Sequence, residues 1–417
     1  MEVIHVSTFD SGGAGLAAYR LHRELLSHGV DSKMLVANKS MNDDTIIQAS
    51  PSPRLLYQPP SFAITRKIKK ILRRRGLFQT RMEQIQHEMD ALSQSHSGVF
   101  FTSAVSVYDL SDHPLVQQAD IIHLHWVQNF LNYDTFFKNV KKPIVWTMHD
   151  LNPLYGGFHH TLLREKYYND YKNLEEEFYT IKRNALTGKT NITAVAISSQ
   201  MHQIIANHEF FKNKKLVDIF NGVDYKQFEL LNKQSVRSLL GIAPETKVFL
   251  FVNRYLNDSQ KGLDNLCKAF DLLNIENGLL ICLGEGTIPP CKNIRIRQFK
   301  PVLDTEWLSQ IYSAADFLVF PSLQEAFSLT TLEAMCCGTP VIMTPVSGSD
   351  DLINDFNGIS CDDFTPEAIA KGISMAMEKK YDRDKIREDV VSRFNLEKIA
   401  KQYIQLYLSL LEIRNKK

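Results

Sequence analysis

"PSLQEAFSLTTLEAMCCGTPV", residues Pro321 to Val341, sets two acids eight positions apart among small and hydroxyl residues. Leading into it, "ADFLVFPS" is a short apolar run ending at Ser322, the pattern of a strand buried on both faces. "LTTLEAMCC" is short and helical, and Gly338 stops it, because glycine accepts the left-handed conformation that closes a helix. "PVIMTP" then begins another apolar run. This order of strand, loop, helix and strand puts Glu325 in the loop at the C-terminal end of a strand, where open α/β sheets bind ligands. The amides of Phe327, Ser328, Leu329 and Thr330 fall at the helix start, a place suited to phosphate. Glu333 sits in the helix body, where its carboxylate can accept two hydrogen bonds from adjacent hydroxyls. Two glutamates at this spacing are equally compatible with a solvated helix face, so the rest of the chain has to decide.

Working outward, short apolar runs alternate with helical patterns in both halves, which argues for parallel α/β architecture. "EVIHVSTF" reads as a first strand ending at "DSGGAG", and "LAAYRLHRELLSHG" as the helix after it, with Gly29 as its stop. "SKMLVAN", "ADIIHLHW", "PIVWTMHD" and "ITAVAIS" read as further strands. The pattern restarts after "FNGVDYKQF" with "KVFLFVNR", the helix "KGLDNLCKAFDLL", and the strands "LLICLGEG" and "ADFLVFPS". The expectation is two α/β domains in tandem, 1–215 and 216–395, with a terminal helix over 396–417 that has an apolar face to cover.

Composition narrows the classes. The 417 residues exceed one comfortable core, and a formal net charge of +1 gives no argument for a nucleic-acid partner. No signal peptide and no spanning helix are expected from the pattern. The six cysteines, all in the C-terminal half, form no C-x-x-C pair and read as reduced.

"GAGLAA", Gly13 to Ala18, formally matches a dinucleotide fingerprint. "TFDSG" separates it from the strand, and the second strand ends "LVAN" without the carboxylate that would hold a ribose, so a nicotinamide reading is set aside. What remains is that Gly12, Gly13 and Gly15 let backbone approach a ligand, beside a plain strand-to-helix turn as the alternative. His123, His125, His149, His159 and His160 form a set that could suggest zinc, but no familiar ligand spacing completes it, and no metal is expected.

With these residues in view, P-S-x-x-E-x-F-x-x-x-x-x-E-A-x-x-x-G-x-P-V resembles the signature of retaining nucleotide-sugar glycosyltransferases of family four, with the GT-B fold. "GGAG", "FNGVD", "NRYLNDSQKG" and "LGEG" resemble further motifs of that family, so the likeness extends over nearly the whole chain. "ADIIHLHWVQNFL" and "PIVWTMHDLNPLYGGFHH" are similar to the branch that assembles bacterial surface polysaccharides, lipopolysaccharide and capsule included. Branch members often carry cysteines after the second motif; "GGFHHTLLREKYYNDY" has none, and Ser328 stands where a glycine is usual. The resemblance implies two Rossmann-like domains facing across a cleft, with the terminal helix returning to the first. It implies that Glu325 contacts the donor sugar and that Glu333 binds the nucleotide ribose. Arg254 and Lys261 would meet the diphosphate, in place of a metal held by a D-x-D motif. Gly284 and Glu285 of "LGEG" would lie under the base, Gly12 and Gly13 near the donor, His149 beside the donor sugar, and Asp150 on the acceptor side.

"ITRKIKKILRRRGLF", within 64–78, carries seven cations between Arg66 and Arg75, with Ile64, Ile68, Ile71 and Leu72 on one helical face. A basic amphipathic helix reads as a membrane-surface element, against the alternatives of a nucleic-acid patch or a solvated face. The expected protein is therefore a retaining transferase using a UDP-sugar and a saccharide or lipid-linked acceptor, cytoplasmic and peripheral on the inner face of the membrane, without cofactor. A sugar-nucleotide epimerase and a non-catalytic sugar-nucleotide-binding subunit are the alternatives.

Overall fold

The computed structural model describes residues 1–52, 80–96, 98–302 and 304–415. The basic stretch 64–78 lies outside the described residues. The first sheet is built from β1 (Glu2–Phe9), β2 (Asp31–Asn38), β3 (Ile46–Gln48), β4 (Ile121–Leu124), β5 (Ile144–Met148), β6 (Ile192–Ala196) and β7 (Lys215–Asp218). Their order is β3-β2-β1-β4-β5-β6-β7, and β1 pairs in parallel with both β2 and β4. The second sheet comprises β8 (Lys247–Tyr255), β9 (Gly278–Glu285), β10 (Arg295–Phe299), β11 (Phe317–Phe320), β12 (Val341–Met343) and β13 (Gly358–Ser360). Its order is β10-β9-β8-β11-β12-β13, parallel throughout. Two parallel Rossmann-like sheets are the GT-B arrangement that the sequence implies.

The apolar runs explain the strands. Every residue of β4, β5, β6 and β11 is buried, as parallel strands covered on both faces must be. In the second sheet, alternate residues of β8 serve two separate cores: Val248 and Leu250 one, Phe249 and Phe251 the other. The chain divides into two compact units, Met1–Val195 with Ile205–Leu216 and Leu410–Lys417, and Ala196–Ile204 with Val217–Ser409. In both sheets the strand order reverses beside the first strand of the fold, β1 or β8. A crevice outside the carboxyl ends of the strands opens at such a point, so the loops after β1, β4, β8 and β11 are where ligands are expected.

Candidate active site

In the second unit, a register shift against β9 bends β8 between Val252 and Tyr255 and leaves Arg254 exposed. Lys261 then closes the short turn Ser259–Lys261, whose capping Asp258 accepts the Gln260 N–H. Gly262 follows at φ 72°, and a Cβ there would stand 1.9 Å from the carbonyl oxygen of Pro321. Only glycine meets both demands, so the lysine turn packs backbone-to-backbone on the exit of β11. Two hydrogen bonds to the Gln260 carbonyl, from the Leu323 amide at 2.9 Å and the Ser322 hydroxyl at 3.2 Å, hold the two loops together. That contact sets Lys261 Nζ 2.9 Å from Glu325 Oε2, each side chain about a quarter exposed (28% and 24%). Burial opposes the lysine charge, but the adjacent Glu325 carboxylate outweighs it and raises the Lys261 pKa.

The helix Leu329–Cys336 starts four residues after Glu325. Ser328 caps it, its hydroxyl accepting the Thr331 amide at 3.1 Å, and among the described residues the amides of Leu329 and Thr330 have no acceptor. The Phe327 side chain is part of the core, stacked on Phe220 with ring centroids 5.5 Å apart, so only its backbone is placed to meet a ligand. Glu333 is buried, and Tyr312 donates its hydroxyl to Oε2 at 2.9 Å. Tyr312 has no signal in the sequence beyond an aromatic residue in a helix 21 positions away. Gly284 answers to its neighbour strand: a Cβ would lie 2.0 Å from the Asn253 carbonyl oxygen. Glu285 beside it is exposed, its carbonyl accepting the Leu256 amide. Lys261 and Glu325 are thus brought into contact, whereas the Arg254 guanidinium lies over the ring of its neighbour Tyr255, 5.4 Å from the centroid.

In the first unit the helix Gly12–Ser27 begins within the glycine run itself. Gly12 has φ 73°, and a Cβ at Gly12 or Gly13 would meet no atom within 4 Å, which leaves that backbone open. Gly15 differs from the sequence reading: its Cβ would stand 2.7 Å from the Phe9 carbonyl oxygen, so it serves helix-to-strand packing rather than ligand approach.

His149 and Asp150 follow β5 directly. Asp150 is buried and accepts hydrogen bonds from Trp126 Nε1 at 2.7 Å, His159 Nδ1 at 2.6 Å, the Asn152 amide at 2.9 Å and Gln128 Nε2 at 3.4 Å. Burial alone would raise its pKa; the His159 imidazole outweighs that and holds it down at about 2. His149 Nε2 lies 3.1 Å from His125 Nδ1, and burial lowers the His149 pKa to about 4 although Asp150 opposes the shift. His125 Nε2 is in turn 2.9 Å from His5 Nδ1, and His123 Nε2 meets the Thr147 hydroxyl at 2.8 Å. The histidine set therefore differs from the one read along the chain: His5 joins it, and His159 leaves it for Asp150. His160 precedes the helix Thr161–Leu186 without capping it. Ring nitrogens of His5, His123 and His125 come within 4.8 Å of one another.

The family described as Glycosyl transferases group 1 matches residues 232–393. An uncharacterized glycosyltransferase of Methanocaldococcus jannaschii is 25% identical over 319 residues, covering 72% of this chain and 77% of the relative. A D-inositol 3-phosphate glycosyltransferase of Corynebacterium urealyticum is 26% identical over 313 residues, covering 68% and 73%. Among solved structures, a sucrose-phosphate synthase from Thermosynechococcus elongatus superposes with TM-score 0.64 at 20% identity, over 99% of this chain and 100% of that one. HepE of Anabaena, solved in complex with UDP-glucose, superposes with TM-score 0.62 at 15% identity, over 98% and 100%. Residues 232–393, which hold Glu325, Glu333, Arg254 and Lys261, are thus a Glycosyl transferases group 1 domain on a chain of GT-B fold, and the enzyme class is glycosyltransferase.

Proposed function

We propose that the protein is a retaining, metal-independent transferase that moves a sugar from a UDP-sugar to a saccharide or lipid-linked saccharide acceptor in bacterial surface-polysaccharide synthesis, working at the inner face of the membrane. The observation that carries this reading is the Lys261–Glu325 pair at 2.9 Å, held at the carboxyl end of β11 beside the open amides of a helix start. A diphosphate brings negative charge that Lys261, Arg254 and those amides can meet, while Glu325 accepts hydrogen bonds from sugar hydroxyls. The acceptor hydroxyl forms its bond to the anomeric carbon on the face the nucleotide leaves. The electron pair of the breaking bond goes to the diphosphate, and so does the acceptor's proton. Positive charge on the sugar ring is favoured by the Glu325 carboxylate, and negative charge on the leaving group by the cations. Glu333, with one oxygen held by Tyr312, would take the ribose hydroxyls. The complex of HepE with UDP-glucose supports the choice of donor, and another structural neighbour, WaaG, is a glycosyltransferase involved in lipopolysaccharide biosynthesis. Thermal-shift screening of nucleotide sugars, followed by turnover of the best binder, tests the assignment: a native-state ligand raises the melting temperature by mass action. No shift with any UDP-sugar and no transfer would sink it.

A further inference from the structure

We infer that His5, His125 and His149 form a one-directional chain of hydrogen bonds that fixes His149 as its Nδ1–H tautomer, so that it offers an N–H rather than a lone pair to a ligand oxygen. The chain follows from the sheet. His5 and His123 are register partners on the parallel strands β1 and β4, so their side chains share a face. His125 is two residues further on, its amide bonded to the Val6 carbonyl at 2.9 Å. Thr147, bonded to His123, and His149 occupy the same face of β5 and its extension. Three neighbouring strands thus place three imidazoles in a row, Nδ1 to Nε2 and again Nδ1 to Nε2, at 2.9 and 3.1 Å.

The surroundings hold these rings neutral. Facing them are Ser7 on β1, His22 of the helix Gly12–Ser27 with its ring 5.8 Å from His5, His123, and Thr147; the carboxylate that acts on His149 is that of Asp150. His22 is itself bonded to Ser32 and Thr45. A neutral imidazole has one N–H and one bare nitrogen, so the two bonds must run the same way. If His149 donated to His125, then His125 would donate to His5, and His5 Nε2 would be a buried N–H; that atom has no partner. An orphaned buried donor is the rarer and costlier arrangement. The opposite sense leaves a bare nitrogen there, runs His5 to His125 to His149, and puts the remaining proton on His149 Nδ1. That nitrogen has no hydrogen-bond partner among the described residues. Free neutral histidine prefers the other tautomer, so the arrangement has a signature. A cation among His5, His123 and His125 fits less well: two of their nitrogens are already engaged with each other, and Asp150, the adjacent carboxylate, is filled by four donors.

The role assigned to the proton rests on the proposed function; the tautomer does not. The test is a two-bond proton–nitrogen correlation spectrum of the full chain labelled with nitrogen-15 histidine, without donor, at neutral pH, with His149 assigned from the signal lost in His149→Gln. The expected result is a protonated Nδ1 and a bare Nε2 in wild type, reverting to the ordinary Nε2–H form in His125→Leu. A wild-type spectrum with Nε2–H at His149, or a His125→Leu spectrum unchanged from wild type in a folded protein, would overturn the chain. So would one equivalent of zinc moving the His5, His123 and His125 signals together. A protein with the Nδ1–H signature that transfers no sugar would leave the chain standing and remove the function.

Discussion

Glu325 and Lys261 form an ion pair, and under the proposed function donor binding would divide that pair between sugar and diphosphate. Glu325→Gln keeps the shape and removes the charge; turnover should fall about a hundredfold or more, while nucleotide affinity stays near wild type. Steady-state kinetics beside calorimetry separates the two, and an equal loss in both would reduce Glu325 to a binding residue. Glu333→Ala should weaken nucleotide affinity about tenfold or more, since a charge-assisted hydrogen bond contributes about 1.5–3 kcal/mol and a decade is about 1.4. Tyr312→Phe removes only the hydroxyl that donates to Glu333, and should cost affinity less. Asp150 gives a pH prediction. Its folded pKa, about 2, is depressed from the ordinary 3.8, so its stabilisation is full above about pH 4 and is lost as pH falls through 2. At about 1.36 kcal/mol per unit this is about 2 kcal/mol. The stability difference between wild type and Asp150→Asn should therefore shrink along the acid limb of a urea-unfolding series; a constant difference would show that Asp150 titrates normally.

At the scale of elements, the Gly262 turn determines where the lysine stands. Gly262→Ala adds a left-handed penalty of about 1–2 kcal/mol and a clash with Pro321, so the turn must move and carry Lys261 from Glu325. Loss of transfer in a folded variant is the expected readout, and unimpaired transfer would separate the turn from catalysis. The segment after β5 has a second kind of support. Glu175, buried, accepts the amides of Gly156 and Gly157 at 3.1 and 2.7 Å and pairs with Arg164 at 2.8 Å. The buried Lys182 donates to the Asn152 and Tyr155 carbonyls, and burial lowers its pKa to about 7. These charged groups secure the stretch in which the sequence offers no cysteine. Removing one partner from a buried charge network costs about 3–5 kcal/mol, so Glu175→Ala should lower the unfolding midpoint sharply; little change would mean that the loop holds without it. Legibility follows the same physics. β8, β9, β11 and β12 are readable because buried parallel strands are unbroken apolar runs. β10, "RIRQF", lies at the sheet edge with charged residues in an exposed strand, and β3, β7 and β13 are short and partly exposed, so they offer no unbroken apolar run. The polar helix Thr161–Leu186 is no more legible, since its charged residues blur the apolar period. Of the site, the acids and cations are visible as types, but His5 can join the histidines only through β1–β4 pairing across 120 residues.

For the whole molecule, two parallel sheets with motifs at their carboxyl ends make a nucleotide-sugar transferase the consistent reading, and the remaining predictions concern its setting. If, as proposed, Arg254, Lys261 and the helix amides meet the diphosphate, transfer should survive EDTA; loss with EDTA and recovery with magnesium or manganese would refute that. Replacing Arg73, Arg74 and Arg75 with glutamine should reduce sedimentation with anionic vesicles, and salt should act likewise by screening. No helix among the described residues is long and apolar enough to cross a membrane. The stereochemistry of transfer tests the central claim most directly. Proton NMR of the first-formed linkage, made from the UDP-sugar that most raises the melting temperature, should show the anomeric configuration of the donor. An inverted product would contradict the account.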